Sequence, residues 1–345
     1  MGASRAPDVL IVSLGSTAGL RAADEQLRSA LERAGASAVI APALAPRPTR
    51  TLMLTDLAWA RAARAAAKRA LLHGPRPPAI IYSSTTAALL WPRPGAIRFD
   101  APSAGNRRGR HGLWQRPLER RRLAQAPLLL PWSEGGLDEA CPSARSRSLV
   151  LPVAVEPSGP RAPVRDIAAI TYAANPLKKG LDRVLAAWHE LRAQGAIASE
   201  ELVVAGASMS ELAAAGLSLD EQAGVRVVGA LPTAEYHALL RRARVFVCAP
   251  RREDYGIAQL EALADGCMLV STPAPGPYVA LSIARELDAR LVGADLRGAL
   301  QSALEGPVDG YAARARDALA PFGRDALDAL VAERVLPRLL EKTDV

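Results

Sequence analysis

The sequence predicts an α/β protein made of two successive parallel-sheet halves. Three observations carry this. Short β-branched apolar runs, such as VLIV at 9–12 and VFV at 245–247, alternate with longer stretches of helical periodicity, the signature of βαβ units. The alternation breaks once, at the proline-rich stretch EPSGPRAPVRD (156–166), and then restarts. The chain has 345 residues, half of them hydrophobic, enough for about two domains with real cores. The expected division is 1–160, 161–320 and a tail, 321–345.

The first half opens β-loop-α-β. Asp8 to Leu14 is a strand running into Gly15, and the loop GSTAG (15–19) follows it. Gly15 lacks a Cβ and so is a candidate for close backbone approach to a phosphate or an acceptor. Ala22 to Ala34 is an amphipathic helix, Ser37 to Ala41 a second strand, and Leu54 to Leu72 a long Ala/Arg-rich helix. Ala79 to Ser83 is a strand whose hydroxyl run, Ser83 to Thr86, suits capping of the next helix. Ala96 to Phe99 is another strand. Residues 106–122, NRRGRHGLWQRPLERRR, hold seven arginines, with Pro117 placed to open a helix. Strands at Ala126 to Pro131 and Leu149 to Val153 complete this half.

Beyond the proline-rich stretch, Ile167 to Ala173 is a strand, ANPLKKG (174–180) a loop and Leu181 to Gln194 a helix. Strands follow at Leu202 to Ala205 and Val225 to Val228, with Thr233 as the N-cap of the helix AEYHALLRRA. Val245 to Ala249 is a strand and Arg251 to Asp254 a charged loop. Ile257, Leu260, Leu263 and Ala264 share one helix face, Gly266 stands at the C-cap, and Cys267 to Ser271 is the last strand. The tail, Arg324 to Leu340, is an amphipathic helix interrupted by Pro337.

Parallel sheets bind ligands at the carboxyl ends of their strands. Two glutamates frame that edge, Glu253 in the charged loop and Glu261 in the following helix, with seven residues between them. The helix start at Gly256, Ile257 and Ala258 aims free N–H groups into the same space, which suits a phosphate flanked by carboxylates that accept sugar hydroxyls. Lysine is rare. Of only four, Lys178 and Lys179 are adjacent in a strand-to-helix loop.

The net charge of +8 is uneven: residues 1–160 hold 22 Lys/Arg against 11 Asp/Glu, and residues 161–345 hold 21 against 24. An anionic partner for the first half is one reading, carried by Arg107, Arg108, Arg110, Arg120, Arg121 and Arg122; a solvated arginine-decorated surface is the other. No zinc pattern, helix-turn-helix signature or aromatic stacking motif speaks for nucleic acid. No G-x-G-x-x-G follows the first strand, which speaks against a dinucleotide-dependent dehydrogenase. Cys141, Cys248 and Cys267 follow no disulfide or metal spacing and read as buried small hydrophobes. No apolar run approaches the ~18 residues of a membrane span, and the first residues lack a signal-peptide shape. The expected location is cytoplasmic, with the basic half allowing peripheral contact at the inner face of the membrane.

The ordered segments TYAANPLKKGLDRVL, LVVAG, VRVVGALPTAEYHALLRRARVFVCAP and REDYGIAQLEALADG resemble the carboxyl domain of glycosyltransferase family 4. The resemblance spans residues 168–272 and is only organisational across 1–160. It implies the GT-B fold, two Rossmann-like domains facing across a cleft: an acceptor-binding 1–160, a nucleotide-sugar-binding 161–320, and a final helix crossing back to the first. It also implies retaining transfer of a hexosyl group from a UDP- or GDP-sugar to an acceptor hydroxyl, in cell-envelope or polysaccharide biosynthesis, with no metal and no other cofactor. Residue by residue, Glu261 matches the glutamate that accepts ribose hydroxyls, and Glu253 the one near the donor-sugar hydroxyls. Gly256, Ile257 and Ala258 match the backbone cradle of the distal phosphate. Lys179, with Lys178 beside it, matches the lysine that neutralises the diphosphate. Departures are plain. Asn175 or its neighbours stand where relatives often carry an arginine, leaving Lys179, Arg251 and Arg252 as candidate cations. PAPGPY (273–278) replaces a glycine-pair-and-glutamate loop and leaves Gly276 as the candidate contact. These departures keep a non-catalytic sugar-nucleotide-binding or scaffold protein of the same fold as the alternative.

Overall fold

A computed structural model describes residues 6–47, 49–72, 77–107, 109–140, 142–197, 199–219, 224–306 and 308–341. Arg108, Cys141 and Lys342 lie outside the described residues. The chain forms two compact units, 1–154 together with 322–345, and 155–321.

The first unit holds strands β1 (Val9–Ser13), β2 (Ala38–Pro42), β3 (Ala79–Tyr82), β4 (Ala96–Phe99) and β5 (Leu129–Pro131). They pair in parallel in the order β2-β1-β3-β4-β5. β1 shows why the runs are continuous rather than alternating: helices cover both faces of the sheet. Leu10 and Val12 enter one apolar layer with Ala63, Ile80 and Ile97, while Val9 and Ile11 enter the other with Leu27, Leu31 and Leu151. Thr17 caps the helix Ala18–Arg33 and Ser84 caps the short helix Thr85–Ala88, accepting the N–H of Ala87 at 3.0 Å. Beside the helix Ala18–Arg33, the buried Arg98 and Asp24 lie 3.7 Å apart, and Arg98 stacks 5.1 Å from the Trp132 ring.

Two expectations for this unit need correction. Residues 149–153 are extended but form no strand. Leu149 and Leu151 donate to the carbonyls of Leu129 and Pro131 at 2.9 and 2.7 Å, but Pro131 has no N–H to donate back, and the ladder stays one-sided there. The helix Gln115–Gln125 starts two residues before Pro117, which sits in the first turn, where a missing N–H costs nothing.

The tail belongs to this unit. Arg324–Leu330 and Leu336–Leu340 are α-helical, and a π turn joins them at Val331–Val335, just ahead of Pro337. Leu327, Val331 and Val335 are buried in the layer of Val9, Ile11 and Leu31. Arg33 holds Asp328 through two hydrogen bonds of 2.6 and 2.7 Å.

The second unit holds β6 (Ile167–Tyr172), β7 (Leu202–Ala205), β8 (Val225–Gly229), β9 (Ala243–Cys248) and β10 (Met268–Ser271). All pair in parallel, in the order β10-β9-β6-β7-β8. The winding direction reverses between β6 and β9. Ligands of open α/β sheets bind outside the carboxyl ends of such a strand pair. The helix Thr233–Arg242 is capped by Pro232 rather than Thr233, because the proline already holds the extended backbone of the cap position. Cys248 and Cys267 are free and buried. No described helix is long and apolar enough to cross a membrane.

Candidate active site

The loops that leave β6 and β9 meet at this reversal. Arg251 N–H donates to the Lys178 carbonyl at 3.0 Å, and a Cβ on Gly180 would lie 1.8 Å from the Ala249 carbonyl oxygen. Gly180 also has φ +69°, so only glycine fits this crossing. Asn175 spends its side chain on the turn, accepting the N–H of Lys178 at 3.2 Å. The result is a tight corner that delivers Lys179 to Glu253. Lys179 Nζ donates to Glu253 Oε2 at 2.6 Å, with the lysine side chain 25% exposed and the glutamate 11%.

Glu253 is held from beneath as well. Gln259, fully buried, donates its amide N–H to the same carboxylate oxygen at 3.2 Å. The amide also reaches the Tyr278 hydroxyl at 3.4 Å, and that hydroxyl shares a 2.7 Å hydrogen bond with Ser271 Oγ. Tyr278 has φ +29°, the one positive φ outside glycine among the described residues. Its ring closes the floor under Gly256, where an added Cβ would lie 3.2 Å away. Gly276 packs still closer, since a Cβ there would stand 2.2 Å from the Glu253 carbonyl oxygen, and Glu253 N–H donates to Pro275 at 3.1 Å. The PAPGPY loop therefore buttresses Glu253.

The helix Ile257–Ala264 begins at Gly256, in the left-handed conformation at φ +94°. No side chain caps it, and its first bond runs from Leu260 N–H to the Gly256 carbonyl, so Ile257 and Ala258 present N–H groups with no intrahelical partner. The helix ends as the sequence predicts: Gly266 takes φ +82°, and Cys267 N–H returns to the Ala262 carbonyl at 2.8 Å. Glu261 lies half-buried on this helix. Burial raises its pKa, and the nearby His237 opposes the rise. His237 Nδ1 lies 3.0 Å from Asp265 Oδ2, and Asp265 Oδ1 accepts from the Ser158 N–H and hydroxyl at 2.8 and 2.9 Å. Asp265 thus pins the proline-rich segment and orients the imidazole beside Glu261.

The second unit brings Lys179, Glu253, Gly256, Ile257 and Ala258 to one sheet edge, while Glu261 lies one turn along the helix beside His237. Lys178 is exposed and contributes its backbone to the crossing rather than a charge. Arg251 bridges Asp182 at 2.8 and 2.9 Å, and Arg252 bonds Asp254 at 2.7 Å, so both guanidinium groups are committed locally. Gly15 sits after β1 in the first unit, its carbonyl accepting from Arg21 at 2.8 Å. Of the arginine segment, Arg107 is committed to Asp56 at 2.5 and 2.9 Å, and Arg122 stacks 5.0 Å from the Trp91 ring. Arg110, Arg120 and Arg121 remain exposed. Gln259, Tyr278, His237 and Asp265 carried no signal in the sequence pattern.

Comparison with known proteins follows this geometry. Residues 167–305 match the family model described as glycosyl transferases group 1. No curated protein sequence gives a significant match. Among solved structures, sucrose-phosphate synthase from Thermosynechococcus elongatus superposes with a TM-score of 0.64 at 15% identity, over 95% of this chain and 98% of that one. WaaG, a glycosyltransferase involved in lipopolysaccharide biosynthesis, gives 0.63 at 14% identity, over 96% and 99%. A trehalose-6-phosphate structure from E. coli bound with UDP-2-fluoro glucose gives 0.63 at 13% identity, over 95% and 98%. At these identities the likeness establishes the fold, the GT-B arrangement of two Rossmann-like sheets, each here of five parallel strands. The chain thus has the GT-B fold, with residues 167–305 similar to glycosyl transferases group 1.

Proposed function

We propose that this chain is a retaining glycosyltransferase that moves a hexosyl group from a UDP- or GDP-sugar to an acceptor hydroxyl. One observation carries the reading: Lys179, Glu253 and an uncapped helix start at Gly256 share one edge of the second sheet, with Glu261 one turn further along that helix. The bond from the anomeric carbon to the diphosphate breaks while the bond to the acceptor oxygen forms on the same face. The acceptor proton passes to the departing phosphate oxygen. Negative charge grows on that leaving group, and Lys179 with the Ile257 and Ala258 N–H groups stabilises it. Glu261 accepts the ribose hydroxyls and Glu253 those of the donor sugar. An incoming diphosphate competes with Glu253 for Lys179, releasing the carboxylate for the sugar.

The first unit takes the acceptor. Exposed Arg110, Arg120 and Arg121, with Leu113 also exposed, favour an anionic acceptor or one held at the inner face of a membrane. The test is a thermal-shift panel of UDP- and GDP-sugars on the purified chain, followed by nucleotide release and the anomeric configuration of the product. Stabilisation and turnover by one donor with retained configuration are expected. Inversion would refute the mechanism, silence across the panel would refute the activity, and binding without turnover would favour a sugar-nucleotide-binding protein of the same fold.

A further inference from the structure

The second unit carries a second concavity, of about 460 Å³, at the amino ends of β9 and β10 and so on the edge opposite the site above. Its charge is lopsided. Arg161, Arg165, Arg244 and Arg316 line it against the single carboxylate of Asp309. Arg244 is paired with Glu200 at 2.5 Å, outside the lining, which leaves the other three as the surplus.

Two of those guanidinium groups converge on Gly266. A Cβ there would lie 3.6 Å from Arg161 Nε and 3.8 Å from Arg165 Nη2. Arg165 donates from Nη2 to the Asp265 carbonyl at 3.4 Å and meets the Cys267 thiol, while its Nε is buried with no hydrogen-bond partner among the described residues. Burial lowers the pKa of this guanidinium and the like charge of Arg161 adds to the effect, while Cys267 and Asp265 oppose it. Two cations held together with an idle buried donor between them form an arrangement that an anion completes.

The opposite wall is the start of the helix Tyr311–Leu319. Gly310 opens it in the left-handed conformation, and no side chain caps it. Met268, Leu304 and Tyr311 supply an apolar floor. At that start the Tyr311 and Ala313 N–H groups are already bonded to the Val308 and Gly310 carbonyls, so the arginines carry the recognition. Guanidinium forks match phosphate oxygens bidentately, and a cavity of this size holds a small molecule. We propose that this cavity binds a phosphomonoester carrying a compact apolar or ring-shaped body, at a site separate from that of the donor. The proposal does not depend on the transferase reading.

Calorimetric titration of the full chain with phenyl phosphate, inorganic phosphate and sodium chloride at matched ionic strength tests it. Phenyl phosphate should bind at least tenfold tighter than inorganic phosphate, and sodium chloride should give no saturable heat. The variant R161E/R316E changes two exposed side chains, and far-ultraviolet circular dichroism checks its fold. It should lose at least tenfold in affinity, the milder Arg161→Ala several-fold, and Lys179→Ala nothing. Unchanged affinity in both arginine variants, loss of binding in Lys179→Ala, or no saturable binding to the wild type would each overturn the site. Equal affinity for the two phosphates would overturn the apolar floor as part of it.

Discussion

Three side chains carry separable predictions. Glu261→Ala should weaken UDP or GDP binding, because each charge-assisted hydrogen bond to a ribose hydroxyl contributes roughly 1.5–3 kcal/mol; calorimetry that found no change would remove Glu261 from the ribose. Gln259→Met deletes the N–H that steadies Glu253 together with a buried amide oxygen that has no partner among the described residues. Loss of the orphan acceptor offsets loss of the donor, so stability should move by less than about 1 kcal/mol. Turnover should fall about tenfold for the misplaced carboxylate. A melting curve beside a kcat measurement separates the two effects. His237 sets a pH dependence. Its hydrogen bond to Asp265 raises its pKa, Glu261 adds to the rise, and burial and Arg241 oppose it. The folded state therefore holds the proton more tightly than the unfolded chain, whose histidines titrate near about 6.5. This stabilisation is complete below that pH and is lost as pH climbs through the raised value. Urea midpoints measured from pH 5.5 upward should decline over that interval, and His237→Gln should flatten the decline.

At the level of elements, the crossing of the β6 and β9 loops is the least tolerant point. Gly180→Ala must accommodate a Cβ 1.8 Å from the Ala249 oxygen at a left-handed φ, and should lower stability by more than about 2 kcal/mol. A denaturation midpoint equal to wild type would mean that the two loops are not locked. These elements also show what the sequence could reveal. The strand–loop–helix order was legible because buried parallel strands are continuous apolar runs, and Lys179, Glu253 and Glu261 were legible because they follow such runs at short range. Leu149–Val153 misled because an apolar run resembles a strand even when the facing Pro131 cannot donate back to it. Gln259 comes from a helix and Tyr278 from the PAPGPY loop, they meet only through packing, and nothing in the letters marks a tyrosine at φ +29°. His237 and Asp265 are likewise joined across 28 positions.

For the whole molecule, the basic excess of residues 1–160 resolves into committed and exposed arginines, and only the exposed ones can meet a partner. Anionic vesicles should retain the chain at low salt, release it as salt rises, and fail to retain R110E/R120E/R121E. Equal retention by neutral vesicles would dismiss the membrane reading. The tail has a different consequence. Leu327, Val331 and Val335 complete the core of a unit whose other residues are translated before 155–321. On the ribosome, the first sheet must wait for the entire second unit, on the order of ten seconds or more at ~5–20 residues per second. Through that interval Val9, Ile11 and Leu31 lack the part of their apolar cover that Leu327, Val331 and Val335 supply.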